Sequence, residues 1–202
     1  MNVTVSQHTT RTLEDDVAEV RRLLANQKGP TLLVGHSYGG AIITEAGNDP
    51  KVAGLVYVAA FAPDDDESVQ ALLSNPQPGE PIPPILPPQN GLLFLDRAKF
   101  HESFCGDLPK PDAEFTADSQ LGAGVAGLGG KITHAAWKSK PSWYLVATED
   151  HMIPPAAQRK MAKRAGASAT EQPGSHSVYI SQPQAVVSLI RQAAGEAQLA
   201  AA

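Results

Sequence analysis

The sequence predicts an α/β fold in which a mainly parallel sheet is flanked by helices. Three runs carry the prediction: "TLLV" (31–34), "VAGLVYVAAFAP" (52–63) and "SWYLVAT" (142–148), all largely apolar. Strands without a polar alternation are covered on both faces, which is the habit of parallel sheets. Helical patterns stand between these runs, and alternating strand and helix is the signature of βαβ construction. With 202 residues the chain is sized for a single domain, 1–202.

The elements follow in order. Val3 and Val5 alternate with Thr4 and Ser6, which predicts a short first strand. Thr12 is a helix N-cap ahead of Glu14, Asp15 and Asp16, acidic residues that suit a helix N-terminus. Leu13, Val17, Val20 and Leu24 form one apolar stripe at three- and four-residue spacing, and Gly29-Pro30 closes that helix. "TLLVG" is then a buried strand and "YGGAIITEAG" a helix ending near Gly47. After the 52–63 strand the pattern lapses, to resume with the strand at 142–148. A helix over 155–165, a short strand "ASATEQ", a helix over 183–194 and a tail "EAQLAAA", read as helix continuation or fray, complete it.

Residues 64–130 have a different texture. "NPQPGEPIPPILPPQNG" holds too much proline for a regular helix or a central strand, and "LGAGVAGLGG" is comparably rich in glycine. Long irregular insertions in compact domains usually serve as lids or binding segments. Leu92, Leu93, Phe94, Leu95, Phe100 and Phe104 need burial, so the segment is expected to pack over the sheet as a lid.

Composition narrows the partners. Hydrophobic residues are 42% and charged residues 18% of the chain, the balance of a globular protein. A net charge of −5 leaves no basic footprint for nucleic acid. No run reaches the ~18 apolar residues of a membrane span. The first residues lack the basic and apolar regions of a signal peptide, so the expected location is cytoplasmic. Cys105 stands alone and reads as a small buried apolar residue. No metal site or cofactor is expected, and "GHSYGG" lacks the lysine of a phosphate-binding loop.

The chemistry centres on that hexapeptide, residues 35–40. Gly-x-Ser-x-Gly between a strand and a helix is a nucleophile elbow, in which a sharp turn projects the serine hydroxyl. Ser37 is therefore the candidate nucleophile, and the Tyr38 N–H a candidate oxyanion donor. A serine needs a general base. Among six histidines, His176 in "PGSHSVYISQP" follows the last predicted strand. His36 adjoins the nucleophile but points elsewhere, either lining the pocket or packing beneath the elbow. His8, His101, His134 and His151 lack a strand-end context, although His101 is placed to line the site from the lid. Asp150, after "YLVAT", is the candidate acid that orients the base. Glu149 is adjacent and chemically able, and Asp64, Asp65 and Asp66 follow the preceding strand end. Phe94 and Phe104 join His36 as candidate substrate-binding residues.

Four stretches, "VGHSYGGAII", "YVAAFAPDDDES", "SWYLVATEDHMIPPAAQR" and "GSHSVYISQP", resemble the α/β-hydrolase superfamily. The likeness is to its compact esterase branch, related to hydroxynitrile lyases and plant methylesterases, and is least diagnostic over 70–130. It implies a Ser37–His176–Asp150 triad in the family's chain order and no cofactor. The apolar residues of the lid point to a small-to-medium apolar ester as substrate, with an amide or a lactone as the alternatives. Judged by the resemblance, the chain starts at the family's fourth strand. The implied fold is thus shortened at its N-terminus, without the His-Gly loop that gives a second oxyanion donor. Pairing of "NVTVS" with "TLLVG", or a second copy of the chain, would cover the sheet edge so exposed, making a homo-oligomer an expectation. Two other functions stay open. Lyase relatives carry a lysine after the triad histidine where this chain has Ser177, and a non-catalytic binding protein would keep the fold without the chemistry.

Overall fold

A computed structural model of the chain describes residues 2–74, 76 and 79–200. Asn75, Gln77 and Pro78 of the proline-rich stretch lie outside the described residues, as do Met1 and the end of the tail, Ala201 and Ala202. The first regular element is helix α1 (Leu13–Ala25), with Thr12 as its N-cap: the Asp15 N–H donates to Thr12 Oγ1 at 3.1 Å. Its stripe of Leu13, Val17, Val20 and Leu24 is buried as the spacing requires. Strand β1 (Thr31–Ser37), helix α2 (Gly39–Ala46) and strand β2 (Val52–Ala60) follow.

The expected first strand does not form. Residues 2–10 hold no regular structure, and Val3 and Val5 are 84% and 73% exposed. Alternation marks a strand only where a neighbouring strand pairs with it and a core takes its apolar face, and here neither is supplied. Thr10, at φ 55°, turns the chain instead, and its N–H donates to Asp16 Oδ1 at 3.1 Å.

Between β2 and the next sheet strand run short elements. They are α3 (Val69–Leu73), β3 (Leu92–Leu93), α4 (Arg97–Phe104), α5 (Lys110–Asp118), β4 (Ala123–Gly124) and α6 (Val125–Gly129). β3 and β4 make a two-stranded antiparallel pair apart from the main sheet. Strand β5 (Ser142–Ala147), helix α7 (Pro155–Arg164), strand β6 (Ser168–Gln172), and helices α8 (Val178–Ser181) and α9 (Pro183–Ala200) then complete the chain. The last helix thus runs six residues past the expected Ala194.

The main sheet has the order β1-β2-β5-β6, and every neighbouring pair is parallel. β2 and β5 are central and almost wholly buried. Leu55, Tyr57 and Tyr144 face the layer of α1, α2 and α7; Val56, Val58, Trp143 and Leu145 face α9 through Leu189, Ala193 and Ala197. Tyr57 and Tyr144 stack at 5.8 Å, and their hydroxyls are satisfied inside the core by Thr44 and the Ala60 carbonyl. Their burial is therefore compatible with their polarity.

Two contacts fix where the strands end. Arg164 donates to both carboxylate oxygens of Glu67, at 2.8 and 2.7 Å, and to the Ala62 carbonyl at 2.8 Å. The Trp137 indole N–H donates to the Pro63 carbonyl at 2.9 Å. Among the described residues no helix is long and apolar enough to cross a membrane.

Candidate active site

The elbow is built by close backbone approach. A Cβ on Gly35 would lie 2.5 Å from the Gly39 carbonyl oxygen, and one on Gly40 would lie 2.0 Å from that of Phe61. Both glycines are required sterically: one lets the turn fold over itself, the other lets α2 abut the end of β2. Ser37 is held at φ 52°, in the left-handed region a serine rarely occupies, and its hydroxyl stands above the C-terminal sheet edge.

His176 and Asp150 arrive from two other strand ends, after β6 and β5. Ser37 Oγ lies 2.8 Å from His176 Nε2, and His176 Nδ1 lies 2.8 Å from Asp150 Oδ2. The histidine and the aspartate are both fully buried. A carboxylate only accepts, so Nδ1 carries the proton and donates it to Asp150. That tautomer leaves the Nε2 lone pair to accept the Ser37 hydroxyl proton.

Asp150 is heavily solvated by protein. Its Oδ1 accepts the Met152 and Ile153 N–H groups at 2.7 and 2.9 Å, and its Oδ2 also accepts from Gln158 Nε2 at 2.8 Å. Gln158 is fully buried too: its Oε1 accepts the Ala147 N–H at 3.0 Å, and its Nε2 donates to the Ile153 carbonyl at 2.7 Å. A charged carboxylate is tolerated in this interior because each oxygen is met by donors. Gln158 escaped the sequence reading. Its signal is a polar side chain sharing a helix face with Met161 and Ala162, which are both core residues.

The alternatives for the acid lie elsewhere. Glu149 is exposed, and its N–H donates to the Gly174 carbonyl. Asp64 and Asp65 pair with Lys138 at 2.5 and 2.8 Å, which holds both carboxyls below the usual range (burial opposes the shift at Asp64). Asp66 is exposed at a turn.

His36 does not line the substrate cavity, contrary to its reading as a substrate-binding residue. Its ring sits 4.6 Å from that of His176 and 4.6 Å from Tyr179, and its Nε2–H donates to the His176 carbonyl at 2.8 Å. Alternation along β1 sends neighbouring side chains to opposite faces, so the His36 ring packs beside His176 and not along the cavity wall. Burial, reinforced by His176, pushes its pKa down to about 3, so it is neutral under ordinary conditions. Tyr38, directly after Ser37, is the N-cap of α2. Tyr38 borders the cavity above Ser37, and its hydroxyl donates to buried Asp16 at 3.2 Å.

A cavity of about 360 Å³ opens above Ser37. Phe94 and Phe104 line it, with Phe61, Leu93, Leu128 and Met152. Among the described residues that line it there is no aspartate, glutamate, lysine, arginine or histidine. Its polar walls are turned to the protein: Thr116 donates to the Asp112 carbonyl, Ser119 to Phe115, and Gln120 to Leu95 and Ala117. His101 donates to or accepts nothing there; its Nε2 pairs with the Leu108 carbonyl. Cys105 is buried at 0% exposure, and burial raises its pKa to about 11.

Known proteins share this layout. An α/β hydrolase nvfD of Aspergillus novofumigatus is 31% identical over 204 residues, covering 92% of this chain and 80% of that protein. A pyrethroid hydrolase of Sphingobium wenxiniae is 31% identical over 205 residues, covering 94% and 70%. The crystal structure of a pyrethroid hydrolase from Sphingobium faniae superposes with a TM-score of 0.71 at 27% identity, covering 95% of this chain and 78% of that one. Polyneuridine aldehyde esterase, at 19% identity and a TM-score of 0.69, shares the fold. The family model described as "Alpha/beta hydrolase family" matches residues 5–189, and the chain belongs to that family.

Proposed function

We propose that the protein is a serine carboxylesterase acting on uncharged, apolar esters of small to medium size through an acyl-enzyme. One observation carries the reading: the Ser37–His176–Asp150 relay, at 2.8 Å for each link, opens into a cavity without charged walls. Ser37 Oγ attacks the ester carbonyl carbon while His176 Nε2 takes the hydroxyl proton. The resulting oxyanion faces the Tyr38 N–H. When the C–O bond breaks, His176 returns the proton to the departing alcohol. Water, deprotonated by the same nitrogen, then releases the carboxylic acid and restores Ser37.

The cavity explains the preference for apolar substrates. A charged acyl or alcohol group would lose its hydration there and find no counter-charge, a penalty of several kcal/mol on the order set by desolvation. The relatives named for hydrolysing a pyrethroid and carbendazim are consistent with carbonyl substrates of this apolar kind. Lyase chemistry is disfavoured at Ser177, whose hydroxyl donates to the Phe104 carbonyl at 3.0 Å and offers no cation to a leaving cyanide.

Residues 64–130 serve in this reading as the lid, because Leu93, Phe94, Leu95, Phe100, Phe104 and Leu121 all reach the cavity from it. A homo-oligomer through β1 belongs to the reading as well. β1 is an edge strand among the described residues, and its Val34 is 45% exposed. A cytoplasmic place of action is the accompanying default. Labelling with a fluorophosphonate tests the core of the proposal: wild type should be modified at Ser37 and should turn over a chromogenic butyrate ester. A folded protein that does neither would sink it, and cyanide release from mandelonitrile without ester turnover would replace it.

A further inference from the structure

Resting on the esterase reading, we infer that Asp107 is a positioning residue for the general base, holding the His176 loop from the lid side. The sheet side holds the loop Gly174–Ser177 at two carbonyls, Gly174 accepting the Glu149 N–H at 3.0 Å and His176 accepting His36 Nε2–H at 2.8 Å; Ser175 and Ser177 are held from elsewhere. Their bonds run to the C-terminal end of α4 and the turn after it. Asp107 Oδ2 accepts the Ser175 N–H at 3.0 Å and the Ser181 hydroxyl at 2.5 Å, while its Oδ1 accepts the Ser175 hydroxyl. The Ser175 hydroxyl oxygen in turn accepts the Ser177 N–H at 3.1 Å. The residues on either side of His176 are thus tied, directly or through one hydroxyl, to a single carboxylate.

Phe104, three residues earlier, adds a second hold. Its carbonyl accepts the Ser177 N–H and the Ser177 hydroxyl, each at 3.0 Å. Its ring lines the cavity and packs edge-on against the His176 imidazole, with centroids 4.8 Å apart. Within residues 104–107, Phe104 walls the cavity, and Phe104 and Asp107 together hold the loop that carries His176. Asp107 itself is exposed, so its three accepted bonds concern the loop and not the burial of its own side chain. Hydrogen bonds from Ser175 and Ser181 outweigh its partial burial and keep the carboxyl below the usual range, in its accepting form.

Position, and not charge, is what the geometry requires. An asparagine at 107 can still accept from the Ser175 N–H and the Ser181 hydroxyl through its carbonyl oxygen. Its amide then donates to the Ser175 hydroxyl, which turns to the Phe104 carbonyl 3.2 Å away. Alanine at 107 removes every acceptor.

The experiment compares Asp107→Ala, Asp107→Asn and Ser181→Ala with wild type. Asp107→Ala should lower kcat roughly 10- to 100-fold, the effect of displacing a reacting group by up to about 1 Å, with KM unchanged. Asp107→Asn should restore most of the rate, and Ser181→Ala should fall in between. An activity-independent measurement accompanies these: the far-downfield proton NMR signal of His176 Nδ1–H. It should be sharp in wild type and Asp107→Asn, and broadened by exchange with water in Asp107→Ala. Wild-type kcat and a sharp signal in folded Asp107→Ala would overturn the inference, as would an Asp107→Asn as damaged as the alanine variant. If Asp107→Ala does not fold, Ser181→Ala decides by the same signal, and an unchanged exchange rate there counts against the clamp. Failure of wild type to label at Ser37 would remove the esterase reading, while the His176 signal would still decide whether Asp107 holds the loop.

Discussion

The sheet edge that carries Ser37, Asp150 and His176 and the segment 64–130 proposed as its lid are built on opposite terms. β2 and β5 are nine and six residues long and buried along nearly their whole length. The lid is assembled from helices of five, eight, nine and five residues and a pair of two-residue strands. Long buried strands hold three reacting groups in place against thermal motion. Short elements joined by irregular chain can be reshaped without disturbing the sheet. The contrast teaches that rate should be set from below and substrate choice from above, with residues 104–107 as the exception.

Breaking the lower half should have the largest effect. Ser37→Ala is expected to reduce kcat by roughly 10⁴- to 10⁶-fold while leaving the melting temperature near that of wild type, as measured by single-turnover assay and thermal denaturation. Retained turnover would show that the chemistry is done elsewhere.

The support beneath the base gives the next effect, through pH. His36 is neutral in the fold with a pKa of about 3, against an ordinary value of 6.5. A depressed folded pKa means that the unfolded chain binds the proton more readily. Stability from this group is therefore complete above pH 6.5 and falls as pH drops toward 3, by up to about 1.4 kcal/mol per pH unit within that window. Urea denaturation at pH 7, 6 and 5 should show the slope, and His36→Gln should flatten it. Asp107 and Glu67, whose pKa values are lowered, act in the same direction but only in the carboxylate range below.

The upper half should respond differently. Phe94→Ala enlarges the cavity without touching the relay, so KM for a long acyl chain should rise by roughly tenfold, the worth of about 1–3 kcal/mol of pocket contact. The kcat for an acetyl ester should stay unchanged. A fall in kcat for acetate would mean that the wall also governs the reacting groups. The smallest effect is expected at the lid surface. Arg97 and Asp118 form a paired contact with both side chains 59% exposed, and Arg97→Ala should leave the denaturant midpoint close to that of wild type.

The same contrast governs what the sequence discloses. The sheet strands, α1 and the elbow are legible because periodicity and glycine spacing are local properties of the chain. His176 and Asp150 are legible because the strand-end positions they occupy follow from the strands. "NVTVS" misleads for the converse reason: its alternation is local, whereas a strand depends on a neighbour that the sequence window does not contain. Gln158 looks like an ordinary surface residue of "PPAAQR" until Asp150 is folded against it. Asp107 is hidden more deeply, since its partners Ser175 and Ser181 lie 68 and 74 residues away. Phe100 and Phe104 show as a pair in need of burial, and Phe100 is indeed 2% exposed, but their partner surfaces arise only in the fold.

Ser37 sits at φ 52°, where a residue without a Cβ would rest more easily. The backbone of the elbow therefore does not favour serine at this position; what the side chain adds is its hydrogen bond to the buried His176 Nε2. A lineage released from selection for hydrolysis that replaced Ser37 by glycine would relax the backbone at the cost of one hydrogen bond to His176. One substitution would leave the cavity, the lid and the sheet intact and convert a catalyst into a receptor for the molecules it once cleaved. The evolutionary distance between enzyme and sensor in this chain is a single hydroxymethyl group.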